Sequence, residues 1–170
     1  MVNEPSPLLT VIVPSIGRPS IDRTIHSILA QTVPVQFVIA SDVERDGAGP
    51  TMNRAASIAK TPYVGFVADD DRLDTHYAEW FAEENDGADL FIFRMTFDNG
   101  GVLPASLDPA DLYHGGVGGS FIMRTDLLAE IPFIREEIPS IHEDWEMVLA
   151  VREAGHKIQV SERVAYFIRH

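Results

Sequence analysis

Two rhythms of apolar residues run through the first half of the chain and assign its elements. Residues 8–13 form an almost continuous apolar run, the pattern of a strand buried on both faces, and Pro14 predicts its end. Ser20 then stands where a helix cap would, ahead of Ile21, Ile25, Ile28 and Leu29, which fall on one helical stripe. Pro34 closes that region. Residues 35–40 read as a second strand, 51–59 as a helix with Met52, Ala55, Ala56 and Ala59 inward, and 63–67 as a third strand. This β-α-β-α-β order predicts parallel strands with right-handed crossovers, and ligands bound beyond the strands' carboxyl ends.

The second half is more mixed. It predicts a helix over 75–84, a strand over 88–94, a hairpin turn at Asn99-Gly100 and a strand over 120–124. A helix over 142–154, stopped by Gly155, and a strand over 164–168 follow. The cluster Gly115, Gly116, Gly118 and Gly119 marks a loop that is flexible or closely approached. With 170 residues, 45% of them hydrophobic, the chain suffices for one core, so a single domain over residues 1–170 is expected.

Charge and cysteine content narrow the chemistry. Lys and Arg number 13 against 26 Asp and Glu, a net charge of -13, which repels a duplex nucleic acid backbone on average. No Cys is present, so any metal is held by carboxylates or imidazoles. The N-terminus has no basic segment before an apolar stretch, and Pro14 breaks the run from Leu8 far short of a membrane span. A cytoplasmic chain without a membrane span is the expectation.

The sharpest chemical feature is Asp69-Asp70-Asp71, directly after the third strand. Adjacent carboxylates repel one another, and their oxygens are the ligands that hard divalent cations prefer. On an extended segment residues two apart point the same way, so Asp69 and Asp71 would share one ion. The bland alternative is a solvated acidic turn or a helix N-terminus.

Three segments in order carry a resemblance: Val11-Ile12-Val13-Pro14-Ser15, the helix through residues 53–59, and Phe66-Val67-Ala68-Asp69-Asp70-Asp71. Together they resemble glycosyltransferase family 2. Glu143-Asp144 is similar to the family's Glu-Asp pair at the start of a later helix, and Ala154-Gly155-His156-Lys157-Ile158 to that helix's end. The resemblance spans nearly the whole chain and marks it as a minimal-length member. It implies an α/β chain with the GT-A fold, a Rossmann-like three-layer α/β/α arrangement around a mostly parallel sheet. Residues 1–74 would form the nucleotide-binding half and 75–170 the acceptor and catalytic half.

The same resemblance implies a sugar moved from a nucleotide diphosphate to an acceptor hydroxyl, with inversion, aided by Mn2+ or Mg2+. Pro14, Ser15, Ile16, Gly17, Arg18 and Asp42 would meet the nucleotide. Asp42 as acceptor for a uracil N3–H or a ribose hydroxyl favours a UDP-sugar. Asn53 and Arg54 would reach base or phosphate, and Arg169 the phosphate oxygens. Asp144, with Glu143 second, would take the acceptor's proton; the pair is equally at home as acidic capping of a helix N-terminus. For the metal, the family's Phe-Leu-Asp-x-Asp-Asp overlays with Ala68 at its first Asp. Either Asp69 and Asp71 are the functional pair, or Asp70 takes the ion while Asp69 and Asp71 orient waters and ribose. His170 is a third ligand or a frayed tail. The acceptor, whether protein, glycan, lipid or modified nucleobase, carries no signature here.

Two further readings compete. A sugar nucleotidyltransferase needs a glycine-rich loop with Lys and Arg after the first strand, where Pro14 to Pro19 offer one Gly and no Lys. A catalytically inactive GT-A-like binding module is kept open by Ala68.

Overall fold

In a computed structural model, residues 6–134 and 143–169 are described. The opening apolar run becomes β1 (Leu9–Ser15), which lies parallel between β2 (Gln36–Ser41) and β3 (Tyr63–Phe66). The run is continuous because both faces are covered. Leu9, Val11 and Val13 pack with Ile28, Tyr77 and Phe81, whereas Ile12 joins Met52, Phe66, Phe121 and Val148 on the other side. Helices α1 (Ile21–Leu29) and α2 (Ala48–Ala56) make the two crossovers, one on each face.

Beyond β3 come a two-residue strand β4 (Arg72–Leu73), α3 (Tyr77–Glu84), and the hairpin of β5 (Leu90–Phe97) and β6 (Val102–Leu103). A short 3-10 turn (Pro109–Asp111) leads to β7 (Phe121–Arg124) and α4 (Thr125–Glu130). The last elements are α5 (Glu143–Glu153) and β8 (Ile158–Ile168). The sheet order is β2-β1-β3-β7-β5-β8-β4, with β6 on β5. β7 opposes both its neighbours and β8 runs with β5, so β2, β1, β3, β5 and β8 all point one way. The sheet is mostly parallel with helices on both faces, as the sequence implies. No helix among the described residues is long and apolar enough to cross a membrane.

Several boundaries differ from the sequence pattern, for identifiable reasons. β1 continues through Pro14, which pairs in register with Ala40. Ile12 carbonyl bonds toward β3 and Ser15 carbonyl toward β2, so the missing N–H of Pro14 faces β3, which has already ended. On α1, Leu29 is 66% exposed and Thr24 is buried. The inward stripe is centred on Thr24 and Ile28 because the Thr24 hydroxyl donates its one proton to the Asp71 carbonyl (2.6 Å), with the Ala68 carbonyl 3.3 Å away. α2 starts at Ala48, since Pro50 is tolerated in a first turn.

Candidate functional site

Parallel pairing brings the carboxyl ends of β1 and β3 side by side, and the two following turns lock together. Ser15 Oγ donates to Asp69 Oδ2 at 2.7 Å, the Ile16 N–H to the same oxygen at 3.3 Å, and Arg18 Nη1 to Asp69 Oδ1 at 2.7 Å. Arg18 also stands 3.1 Å from Asp70. Gly17 turns the chain at φ +84°, where a side chain is strained, and its N–H reaches Ser15 Oγ at 2.9 Å. Asp69 is 2% exposed. Its hydrogen bond raises the Arg18 pKa above the ordinary value; burial opposes this, and the charges of Asp70, Asp69 and Asp71 add to it.

Asp42 lies one strand over, where its carboxylate accepts the N–H groups of Asp46 (2.9 Å) and Gly47 (3.1 Å). Arg54 ties this loop to α2, bonding Asp46 at 2.7 Å and the Thr51 hydroxyl at 3.0 Å. Burial pushes the Asp42 carboxyl up, but the two backbone N–H groups, Thr51 and Arg54 outweigh it and hold it below the usual range. Asn53 turns elsewhere. Its amide grips the Phe133 backbone from both sides, donating to the carbonyl at 2.8 Å and accepting the N–H at 3.0 Å.

The aspartates themselves do not lie along an extended strand. Asp71 N–H donates to the Ala68 carbonyl at 3.2 Å, which curls residues 68–71 into a turn. Asp69 and Asp71 therefore face different partners, contrary to the shared-ion geometry expected for a strand. Asp71, 8% exposed, accepts from the Tyr166 hydroxyl and from the Arg169 N–H, both at 2.9 Å. Asp70 and Asp71 both line a cavity of about 420 Å3, together with Arg169. Among the described residues no group of three or more His, Asp or Glu is placed to hold a metal ion. Ions such as Mg2+ are commonly held by one or two carboxylates plus waters and substrate phosphates, and Asp70 and Asp71 are the two carboxylates of the triplet that line this cavity. His170 lies outside the described residues.

A second cavity, about 230 Å3, opens on the other side of Asp71, between Pro14, Ala48 and the start of α5. Glu143 and Asp144 line it together with Gly118, Gly119 and Tyr166. Asp144 Oδ1 lies 3.7 Å from the point where a side chain on Gly119 would begin, and the Tyr166 hydroxyl 4.0 Å from that point. Burial, then the charge of Glu143, pushes the Asp144 carboxyl up to about 7. The residue is half-buried, but this carboxyl is turned inward, and no cation pairs with it among the described residues. A larger cavity, about 760 Å3, lies away from this chemistry, among Lys60, Tyr63, Arg124 and Asp126.

The structure thus gathers Pro14 to Arg18, Asp69 to Asp71, Arg169, Glu143 and Asp144 around one sheet edge. Asp42 and Arg54 flank it, and Asn53 points away. Sequence reasoning passed over Thr24 and Tyr166. Tyr166 opens the segment Tyr166–His170, whose resemblance to the family drew attention to Arg169 and His170 and not to the tyrosine.

No family model and no curated protein matches the chain. Solved structures do match. S. aureus TarS aligns over 95% of this chain and 36% of its own, at 21% identity and a TM-score of 0.79. TarS 1-349 in complex with UDP-GlcNAc aligns over 95% and 58%, at 21% identity and a TM-score of 0.74. The mannosyltransferase PcManGT from Pyrobaculum calidifontis, solved with GDP-Man and Mn2+, aligns over 95% and 56%, at 14% identity and a TM-score of 0.66. The chain has the glycosyltransferase fold of the GT-A type, and it spans roughly a third to three-fifths of the length of these structures.

Proposed function

We propose that this chain transfers a sugar from a nucleotide diphosphate, a UDP-sugar in preference, to an acceptor hydroxyl. The carrying observation is Asp144, an inward-turned carboxyl with a pKa near 7 in a cavity whose wall it shares with Asp71. A general base works best with a pKa near the working pH and within reach of the proton it takes. An in-line attack on the anomeric carbon, with inversion, follows if the acceptor lies beside Asp144 and the diphosphate beside Asp70 and Asp71.

The remaining residues then have stated tasks. Ser15, Ile16 and Arg18 hold Asp69, and through it the β1 turn that faces the nucleotide. Asp42, kept ionised at the end of β2, is able to accept a uracil N3–H or a ribose hydroxyl. Arg169 and Arg54 supply positive charge toward phosphate, whereas Asn53 supports α2 from behind. Asp70 and Asp71 would hold Mn2+ or Mg2+, which neutralises charge growing on the departing diphosphate. The Mn2+ and the nucleotide sugars found with the structural neighbours support this reading.

Isothermal titration tests it. UDP is expected to bind with Mn2+ and not without, and the chain to hydrolyse a UDP-sugar slowly without acceptor. Asp144→Asn is expected to lose hydrolysis and keep binding. Equal UDP affinity in the presence of a chelator overturns the metal-dependent reading.

A further inference from the structure

β8 runs parallel to β5 and antiparallel to β4, placing Tyr166 opposite both Met95 and Leu73. The pairing with β5 is irregular just before it. From Val160 to Tyr166 β8 advances six residues, while β5 advances three, from Ile92 to Met95. Such bulges bend a strand and re-aim the side chains beyond them. Here Ala165 and Tyr166 are both buried although they are adjacent, and the ring reaches under the aspartate turn.

The hydroxyl meets both ends of that turn. It accepts the Ala68 N–H at 3.1 Å and donates to Asp71 Oδ2 at 2.9 Å. A backbone N–H can only donate, so the tyrosine oxygen is the acceptor there and its single proton goes to Asp71. The orientation of the bond is thereby fixed, as is the rotamer of the carboxylate. Tyr77 is the opposite case, since its fully buried hydroxyl has no hydrogen-bond partner among the described residues.

We infer that Tyr166 is a positioning residue, holding the Asp71 carboxylate in the orientation that the cation and diphosphate require. The inference rests on the function proposed above. Because the hydroxyl also borders the Asp144 cavity, the same side chain fixes the wall between the donor and acceptor sides.

The test titrates UDP, with saturating Mn2+, into the full chain and into Tyr166→Phe, Asp71→Ala, the double variant and Tyr77→Phe. Tyr166→Phe is expected to bind about tenfold more weakly, as for a lost hydrogen bond to a charged acceptor, and Tyr77→Phe to match wild type. In the Asp71→Ala background the effect of Tyr166→Phe should shrink to the part carried by the Ala68 N–H, because the hydroxyl acts chiefly through that carboxylate. Wild-type affinity in Tyr166→Phe, or additive losses in the double variant, overturns the inference. So does a Tyr166→Phe chain that does not fold, since the ring still fills its space and the role assigned to the hydroxyl is not stability. Absence of Mn2+-dependent binding in wild type sinks the proposed function instead, which separates the two failures.

Discussion

Aspartates on the two sides of the β3 turn live in opposite surroundings. At the ends of β2 and β3, Asp42 and Asp69 are each answered by backbone N–H groups, a hydroxyl or an arginine. At the start of α5, Asp144 shares its cavity with Glu143 and has no cation among the described residues. The Asp42 carboxyl is thus held below its usual range, whereas the Asp144 carboxyl is pushed toward its neutral form. Carboxyl groups whose surroundings drive their pKa values apart can divide labour: under the proposed function Asp42 would organise charge and loop geometry, and Asp144 would take the acceptor's proton.

The contrast is broken most severely at Asp144, the base of the proposed reaction. Asp144→Asn keeps the shape and removes the base, and transfer is expected to fall by about 10²–10⁴, measured as sugar release or transfer rate at fixed UDP-sugar. At the end of β3, Arg18→Met leaves the buried Asp69 without its cation. The arginine is 46% exposed, so the expected cost is about 2 kcal/mol rather than that of a fully buried pair, read from the urea midpoint.

Stability against pH sharpens the comparison further. Below the ordinary carboxylate range both folded and unfolded chains carry the Asp144 proton. Between that range and about 7 only the unfolded chain has lost it, so stability falls as pH rises, and above about 7 the penalty is constant. Asp144→Asn removes the penalty, and is expected to stabilise the fold by roughly 1–2 kcal/mol at pH 8 and by less at pH 5. Asp42 has the reverse sign. Its depressed pKa contributes stability above the ordinary carboxylate range that is lost as pH falls, so Asp42→Asn should lower the urea midpoint at pH 7. This is expected to be the smallest of the four effects, and to vanish in acid.

How much of this was legible before the structure depends on whether the deciding contact is local. β1, β3, α1 and the turn at Asn99-Gly100 are written in runs and periods, and they fall within a few residues of the pattern. β4 has two residues and exists because β8 passes beside it, which no periodicity records. Only the end of β8 was visible, because its bulged first part, Gln159 to Arg163, carries a polar, irregular sequence. In the site, the aspartate triplet and Glu143-Asp144 stand out by composition. The actual duty of Asn53 depends on Phe133, 80 positions away, and that of Tyr166 on Asp71, 95 positions away. Asp69 and Asp71 were expected to act alike, and the turn closed by the Ala68 carbonyl separates them.

Gly119 is unlike the other glycines near the site. Gly17 is demanded by its backbone angle, and Gly65 by the Tyr77 hydroxyl, 2.8 Å from where a side chain would begin. At Gly119 neither constraint operates, for its φ is ordinary and an added methyl would meet only van der Waals neighbours, Asp144 and Tyr166. An alanine here would thus leave the backbone unstrained and only narrow the cavity that Asp144 and Tyr166 line.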